Sequence, residues 1–142
     1  MLKRIFCVAL FAFCLPALAA GGAVVSDAWL RYIPGGAPAA GYFTLTNRGD
    51  KPLSLVGAEC SEFGMVMIHR TIERGGISTM RPVHELAVPP GKSVAFAPGG
   101  YHLMLMRPKH PLVPGGRLPI TLRFADGSSL PVEFMVKSLQ AR

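Results

Sequence analysis

Pro98-Gly99-Gly100-Tyr101-His102-Leu103-Met104-Leu105-Met106-Arg107 reads as a turn followed by a strand. A proline and two glycines break the chain, and the residues after them alternate with period two. Tyr101, Leu103 and Leu105 therefore share one face, and His102, Met104 and Met106 share the other. The apolar set already supplies a core face. The His/Met face is spare.

From Ala23 onward the chain repeats this pattern of short extended runs at roughly ten-residue spacing, separated by turn signals, as in an antiparallel sandwich or barrel. The runs are Val24 to Arg31, Ala39 to Asn47, Leu53 to Glu59, Met65 to Arg74, Ile77 to Glu85, Ser93 to Ala97, Tyr101 to Arg107, Leu118 to Phe124 and Leu130 to Val136. Pro34-Gly35-Gly36, Gly49-Asp50, Gly75-Gly76, Pro89-Pro90-Gly91, Pro114-Gly115-Gly116 and Asp126-Gly127 lie between them. Nine strands make one all-β sandwich, with no linker, repeat or low-complexity block. Pro119 and Pro131, near strand starts, belong at edges or bulges because proline donates no ladder hydrogen bond.

A length of 142 residues fits a single domain. With 16 Gly and 13 Pro, long uninterrupted helices are excluded, and with them a helical bundle, a coiled coil or a doubly wound nucleotide-binding fold. Eight acidic residues leave little material for a calcium loop or a carboxylate-paired hydrolase, and neither GxxxxGK[ST] nor GxGxxG occurs.

Residues 1–19 are expected to be a cleaved secretory signal peptide, and residues 20–142 the mature domain. Lys3 and Arg4 form a basic start, Ile5 to Leu15 an apolar stretch, Pro16 a breaker and Ala17-Leu18-Ala19 an A-x-A cleavage signal. The apolar core is short for a membrane span and is interrupted by Pro16, Gly21 and Gly22, so the mature chain is not expected to cross a membrane. Cys14 follows Phe11-Ala12-Phe13, without the small residue that a lipoprotein site needs directly before its cysteine, which argues against lipidation. Cleavage removes two of the 15 basic residues and leaves 13 against 8 acidic ones, a formal charge of +5. It also removes Cys7 and Cys14. Cys60 is then alone, no internal disulfide can form, and the fold must hold through its core. The basic residues are dispersed without aromatic interleaving, so nucleic acid is not an expected partner, whereas an acidic protein surface is.

Methionine and histidine are unevenly placed. Met65, Met67, Met80, Met104 and Met106, with His69, His84 and His102, all lie between residues 65 and 106. Thioethers are soft neutral ligands and imidazole is borderline, so a site built of both favours Cu(I) over hard, oxygen-seeking ions. If Gly75-Gly76 is a two-residue hairpin turn, Arg74 pairs with Ile77 and Thr71 with Met80, which puts Met80 one diagonal step from His69 on the same face. His102 and Met104 also share a face, roughly 6 to 7 Å apart along their strand. One methionine in a strand is usually core filler, and one histidine is usually a satisfied half-buried side chain. Joint placement on a face the core does not need favours ligation.

The spacing His69, ten residues, Met80, twenty-one residues, His102, one residue, Met104 resembles the H-x10-M-x21-H-x-M signature of the periplasmic copper chaperones of the PCuAC family. Asp27-Ala28-Trp29-Leu30-Arg31, Ala39-Ala40-Gly41-Tyr42-Phe43-Thr44 and Pro98 to Met106 resemble further segments of that family, so the likeness spans nearly the whole mature chain. It implies a Greek-key β-sandwich, cupredoxin-like or immunoglobulin-like, that binds Cu(I) through His69, Met80, His102 and Met104 in the periplasm. It further implies delivery by ligand exchange, without turnover chemistry, to the dinuclear copper centre of a cytochrome c oxidase subunit, sometimes alongside a second, thiol-based copper chaperone. General copper storage or resistance is the alternative within that reading.

Two features depart from the family. The chain ends at Ser138-Leu139-Gln140-Ala141-Arg142 without a His- and Met-rich tail, and Cys60, Met65 and Met67 enrich the segment before His69 in sulfur. The same hairpin register sets Met67 opposite His84, a candidate auxiliary position, and Met106 lies two residues beyond Met104. Cys60 reads as a small buried hydrophobe, His110 as an exposed loop residue, and Trp29 and Tyr42 as core or rim aromatics. A blue-copper enzyme or electron carrier would need a thiolate beside two imidazoles, and Cys60 lies outside the motif. A sandwich that binds protein and uses its sulfur face only for packing is the remaining competing reading.

Overall fold

A computed structural model of the chain describes residues 21–139. The expected signal peptide, with Cys7 and Cys14, and the last three residues lie outside the described residues. The described chain is all β: β1 (Ala23–Tyr32), β2 (Ala39–Asn47), β3 (Leu53–Glu59), β4 (Phe63–Arg74), β5 (Ile77–Pro82), β6 (Leu86–Val88), β7 (Ser93–Phe96), β8 (Tyr101–Pro108), β9 (Arg117–Phe124) and β10 (Ser129–Ser138). They form one hydrogen-bonded sheet in the order β5-β4-β8-β7-β2-β1-β10-β9-β3-β6, with β8 also pairing directly with β2. The neighbours β4 and β8, β2 and β7, and β9 and β3 are distant in sequence, as Greek-key crossovers require. β3 lies against β4, which follows it after a short connection, although the two are far apart in strand order, so the open sheet folds over one core.

That core takes alternate residues from nearly every strand. Leu30, Leu45, Leu55, Leu103, Leu105, Ile120, Leu122 and Phe134 are fully buried. Phe43 stacks on Phe96 at 4.3 Å and meets Phe134 edge-on at 5.8 Å. Gly41 sits where β2 crosses this packing: a Cβ there would lie 3.3 Å from Leu103 Cβ and 3.4 Å from Phe134 Cε1.

The run expected as a strand from Ile77 to Glu85 ends three residues early, and a tenth strand that the nine expected runs do not include follows it. β5 stops at Pro82, whose ring removes a backbone donor, and Leu86–Val88 crosses to pair with Leu53, Ser54 and Leu55 at the opposite end of the sheet. Pro119 and Pro131 do take one-sided positions. β3 pairs with β9 only as far as Thr121, and β1 pairs with β10 only from Met135, so neither proline has to donate to a second neighbour. β1 carries a register shift between Ser26 and Trp29, with Asp27 in the left-handed region at φ 54°. Beyond this irregularity Trp29 packs on Tyr42 at 4.7 Å, with Lys137 over the indole and Arg31 over the phenol. Of the two aromatics expected in the core or at the rim, Tyr42 is buried and Trp29 is half-buried beside it.

Candidate metal centre

The β4–β5 hairpin turns at Gly75-Gly76, both with positive φ, and pairs Arg74 with Ile77 and Thr71 with Met80, the register anticipated from sequence. Every residue of β5 is exposed, so Met80 rides on an arm that projects past the core. On its other side β4 pairs with β8, which sets His69 directly opposite His102 with ring centroids 5.9 Å apart. This long-range pairing brings the two halves of the motif together: His69 and Met80 from one hairpin, His102 and Met104 from a third strand.

A cleft of about 480 Å³ opens here, lined among others by Arg31, Tyr42, Thr71, Met80, His102 and Met104. His69 is not among the residues that line it, and lies directly opposite His102 across the β4–β8 pair. His102 is only 5% exposed, and its Nδ1 lies 3.3 Å from the Gly100 carbonyl oxygen. A carbonyl can only accept, so Nδ1 carries the proton and Nε2 keeps its lone pair free for a metal, as in most ligating histidines. The same carbonyl also accepts from the Thr71 backbone N–H at 3.0 Å, tying the ring's orientation to both strands.

His69 Nδ1 is buried and has no hydrogen-bond partner among the described residues, an orphaned donor or acceptor of the kind that a bound ion would satisfy. Burial of this imidazole, and then the neighbouring His102 ring, push its pKa below the ordinary histidine value. A neutral imidazole is the form that ligates. Among the described residues no three His, Cys, Asp or Glu side chains cluster well enough to hold a metal, so a metal site on this face has to recruit methionine sulfur. Two imidazoles and two neutral thioethers suit a monovalent soft ion and leave the filled site at a single positive charge.

Met67 lies opposite Met104, not His84. Because β5 ends at Pro82, His84 falls in the loop beyond the hairpin and has no ladder partner. Met106 lies opposite Met65. Cys60 is buried at the end of the core, and burial raises its thiol pKa, so it is a protonated hydrophobe as expected. His110 is an exposed loop residue whose Nδ1 lies 3.1 Å from Glu62 Oε2.

Residues 23–136 match the LpqE-like family. The chain belongs to that family. A curated relative of this LpqE-like protein, "Putative lipoprotein Lxx21020" of Leifsonia xyli subsp. xyli, is 37% identical over 123 residues, covering 86% of the chain and 74% of the relative. Among solved structures the copper-bound PCuAC domain from PmoF2 superposes with a TM-score of 0.70 at 25% identity, covering 84% of this chain and 96% of that one. The solution structure of CuI-DR1885 from Deinococcus radiodurans gives 0.62 at 35% identity, covering 91% and 83%. The LpqE-like chain therefore has the fold of the PCuAC domains, the family that its motif resembles.

Proposed function

We propose that this LpqE-like protein is an exported Cu(I) carrier, not an enzyme, and that His69, Met80, His102 and Met104 ligate the ion. The observation that supports the reading is that a nearly buried His102, Met80 and Met104 line one cleft, while His69, whose Nδ1 has no hydrogen-bond partner among the described residues, stands directly opposite His102 on β4. Similarity to domains whose structures contain copper supports the choice of metal. Export is supported by the reading of residues 1–19 and by the lipoprotein relative, and the periplasm is the compartment proposed.

Release follows from the arrangement. The imidazoles are held by the sheet, whereas Met80 sits on the exposed arm and is 58% accessible. An incoming ligand from a recipient displaces Met80 first, then Met104, and the ion leaves by stepwise exchange with no change in oxidation state. The recipient proposed is the dinuclear copper centre of a cytochrome c oxidase subunit, with a thiol-based copper chaperone as a second partner. The positive balance of the chain favours docking on an acidic surface, an attraction that weakens with salt.

Anaerobic titration of residues 20–142 with Cu(I) against a competing chelator, followed by X-ray absorption, tests the ligand set. Tight binding at the first equivalent with two nitrogen and two sulfur neighbours is the expected result, and an all-nitrogen or all-oxygen shell overturns it.

A further inference from the structure

β4 and β8 carry three sulfur atoms that this ligand set does not use. Their pairing forms a ladder: His69 opposite His102, then Met67 opposite Met104, then Met65 opposite Met106. Val66, Ile68, Leu103 and Leu105, which alternate with these residues, belong to or pack against the core, so the ladder occupies the other face. Directly opposed side chains in an antiparallel pair hold their Cβ atoms about 5 Å apart, and successive rungs lie about 6.5 Å apart. Methionine has three rotatable bonds, so thioethers on neighbouring rungs can converge on one ion.

Packing alone does not account for this face. The outward side of an antiparallel sheet is ordinarily polar, and strands prefer branched or aromatic side chains to methionine. Here two consecutive rungs are all methionine, and Met65 is 40% exposed. The ladder also grades inward, from Met65 in solvent to His102, which is almost fully buried.

We propose that Met65, Met67 and Met106 form a second, all-thioether site for a soft monovalent cation, weaker than the His/Met site and feeding it through Met104. The proposal rests on the reading of this face as a Cu(I) carrier surface. Each step makes one metal–ligand bond, to thioether sulfur or to a neutral imidazole nitrogen, as one metal–sulfur bond breaks, and neither protons nor electrons move. Three neutral soft donors without an imidazole select Cu(I) or Ag(I) and leave Zn(II) unbound.

The test is titration with Ag(I), a soft monovalent probe, while the methionine methyl signals are followed by NMR. The first equivalent is expected to move the Met80 and Met104 methyls and the second those of Met65, Met67 and Met106. Met135, on β10 and equally exposed at 40%, is expected to stay still. The triple variant Met65→Leu, Met67→Leu, Met106→Leu, close in volume and so expected to fold, should keep the first equivalent and bind the second at least tenfold more weakly. A triple variant that still binds two equivalents overturns the second site, as does a Met135 methyl that moves with the three. If Met65, Met67 and Met106 respond while Met80 and Met104 do not, the second site stands and the His/Met ligand set falls. If only Met80 and Met104 respond, the reverse holds.

Discussion

Met80 and His102 are opposite solutions to one problem, holding an ion and still letting it go. His102 is buried and hydrogen-bonded, Met80 is exposed and unsupported. Met80→Ala is therefore expected to change folding stability by less than about 0.5 kcal/mol, as surface substitutions do. Cu(I) affinity should nevertheless fall about tenfold or more, equivalent to about 1.4 kcal/mol. Chelator competition and urea unfolding on the same variant separate the two quantities. His69 carries a pH signature. Its pKa is lowered in the fold, so the folded state resists protonating it and the unfolded state does not. This group's contribution to apo stability is present above about pH 6.5, the unperturbed value, and is lost as pH falls from there through the lowered folded value. Urea midpoints of the apo protein between pH 8 and 5 should show that decline, and His69→Gln should flatten it. Proton competition for His69 in the metal complex likewise sets in at more acidic pH than for a free imidazole, which Cu(I) affinity measured across the same range checks.

Among elements, β8 is the one on which both faces depend, since it gives Leu103 and Leu105 to the core and His102 and Met104 to the cleft. Its seat against β2 requires Gly41, opposite Leu103. Gly41→Val drives a branched side chain into Leu103 and Phe134 and is expected to cost about 1–3 kcal/mol, the usual penalty of overpacking. Because the displaced strand is the one that holds His102, Cu(I) affinity should fall as well, and urea unfolding with chelator competition reports both. The alternation of Tyr101 to Met106 and the Gly75-Gly76 turn were legible in the sequence because pleat and two-residue hairpin geometry are local. The break at Pro82 was not. Ile77 to Glu85 has no turn dipeptide of the Pro-Gly or Gly-Gly kind, and the attraction that pulls Leu86–Val88 away comes from β3, some thirty residues upstream. Met67 was set opposite His84 for the same reason, the hairpin being extended past its real end.

For the whole molecule, stability has to come from one hydrophobic core, since the described residues hold a single buried cysteine. Phe134 is fully buried and joins β10 to Phe43 of β2. Phe134→Ala is expected to cost about 3–5 kcal/mol by cavity formation, read as a lowered urea midpoint, and the loss should be partly recovered by saturating Cu(I), because an ion that binds only the folded state stabilises it. Composition, turn residues and period-two alternation by themselves determined an all-β single domain, the faces of its strands and the spacing of four candidate ligands, since each depends on neighbours a few residues away. Only the tertiary structure decided that β4 lies beside β8, which sets His69 against His102 and stacks the methionines into a ladder. Which distant strands become neighbours is settled by how the whole chain buries its apolar faces, and no local stretch of residues carries that information.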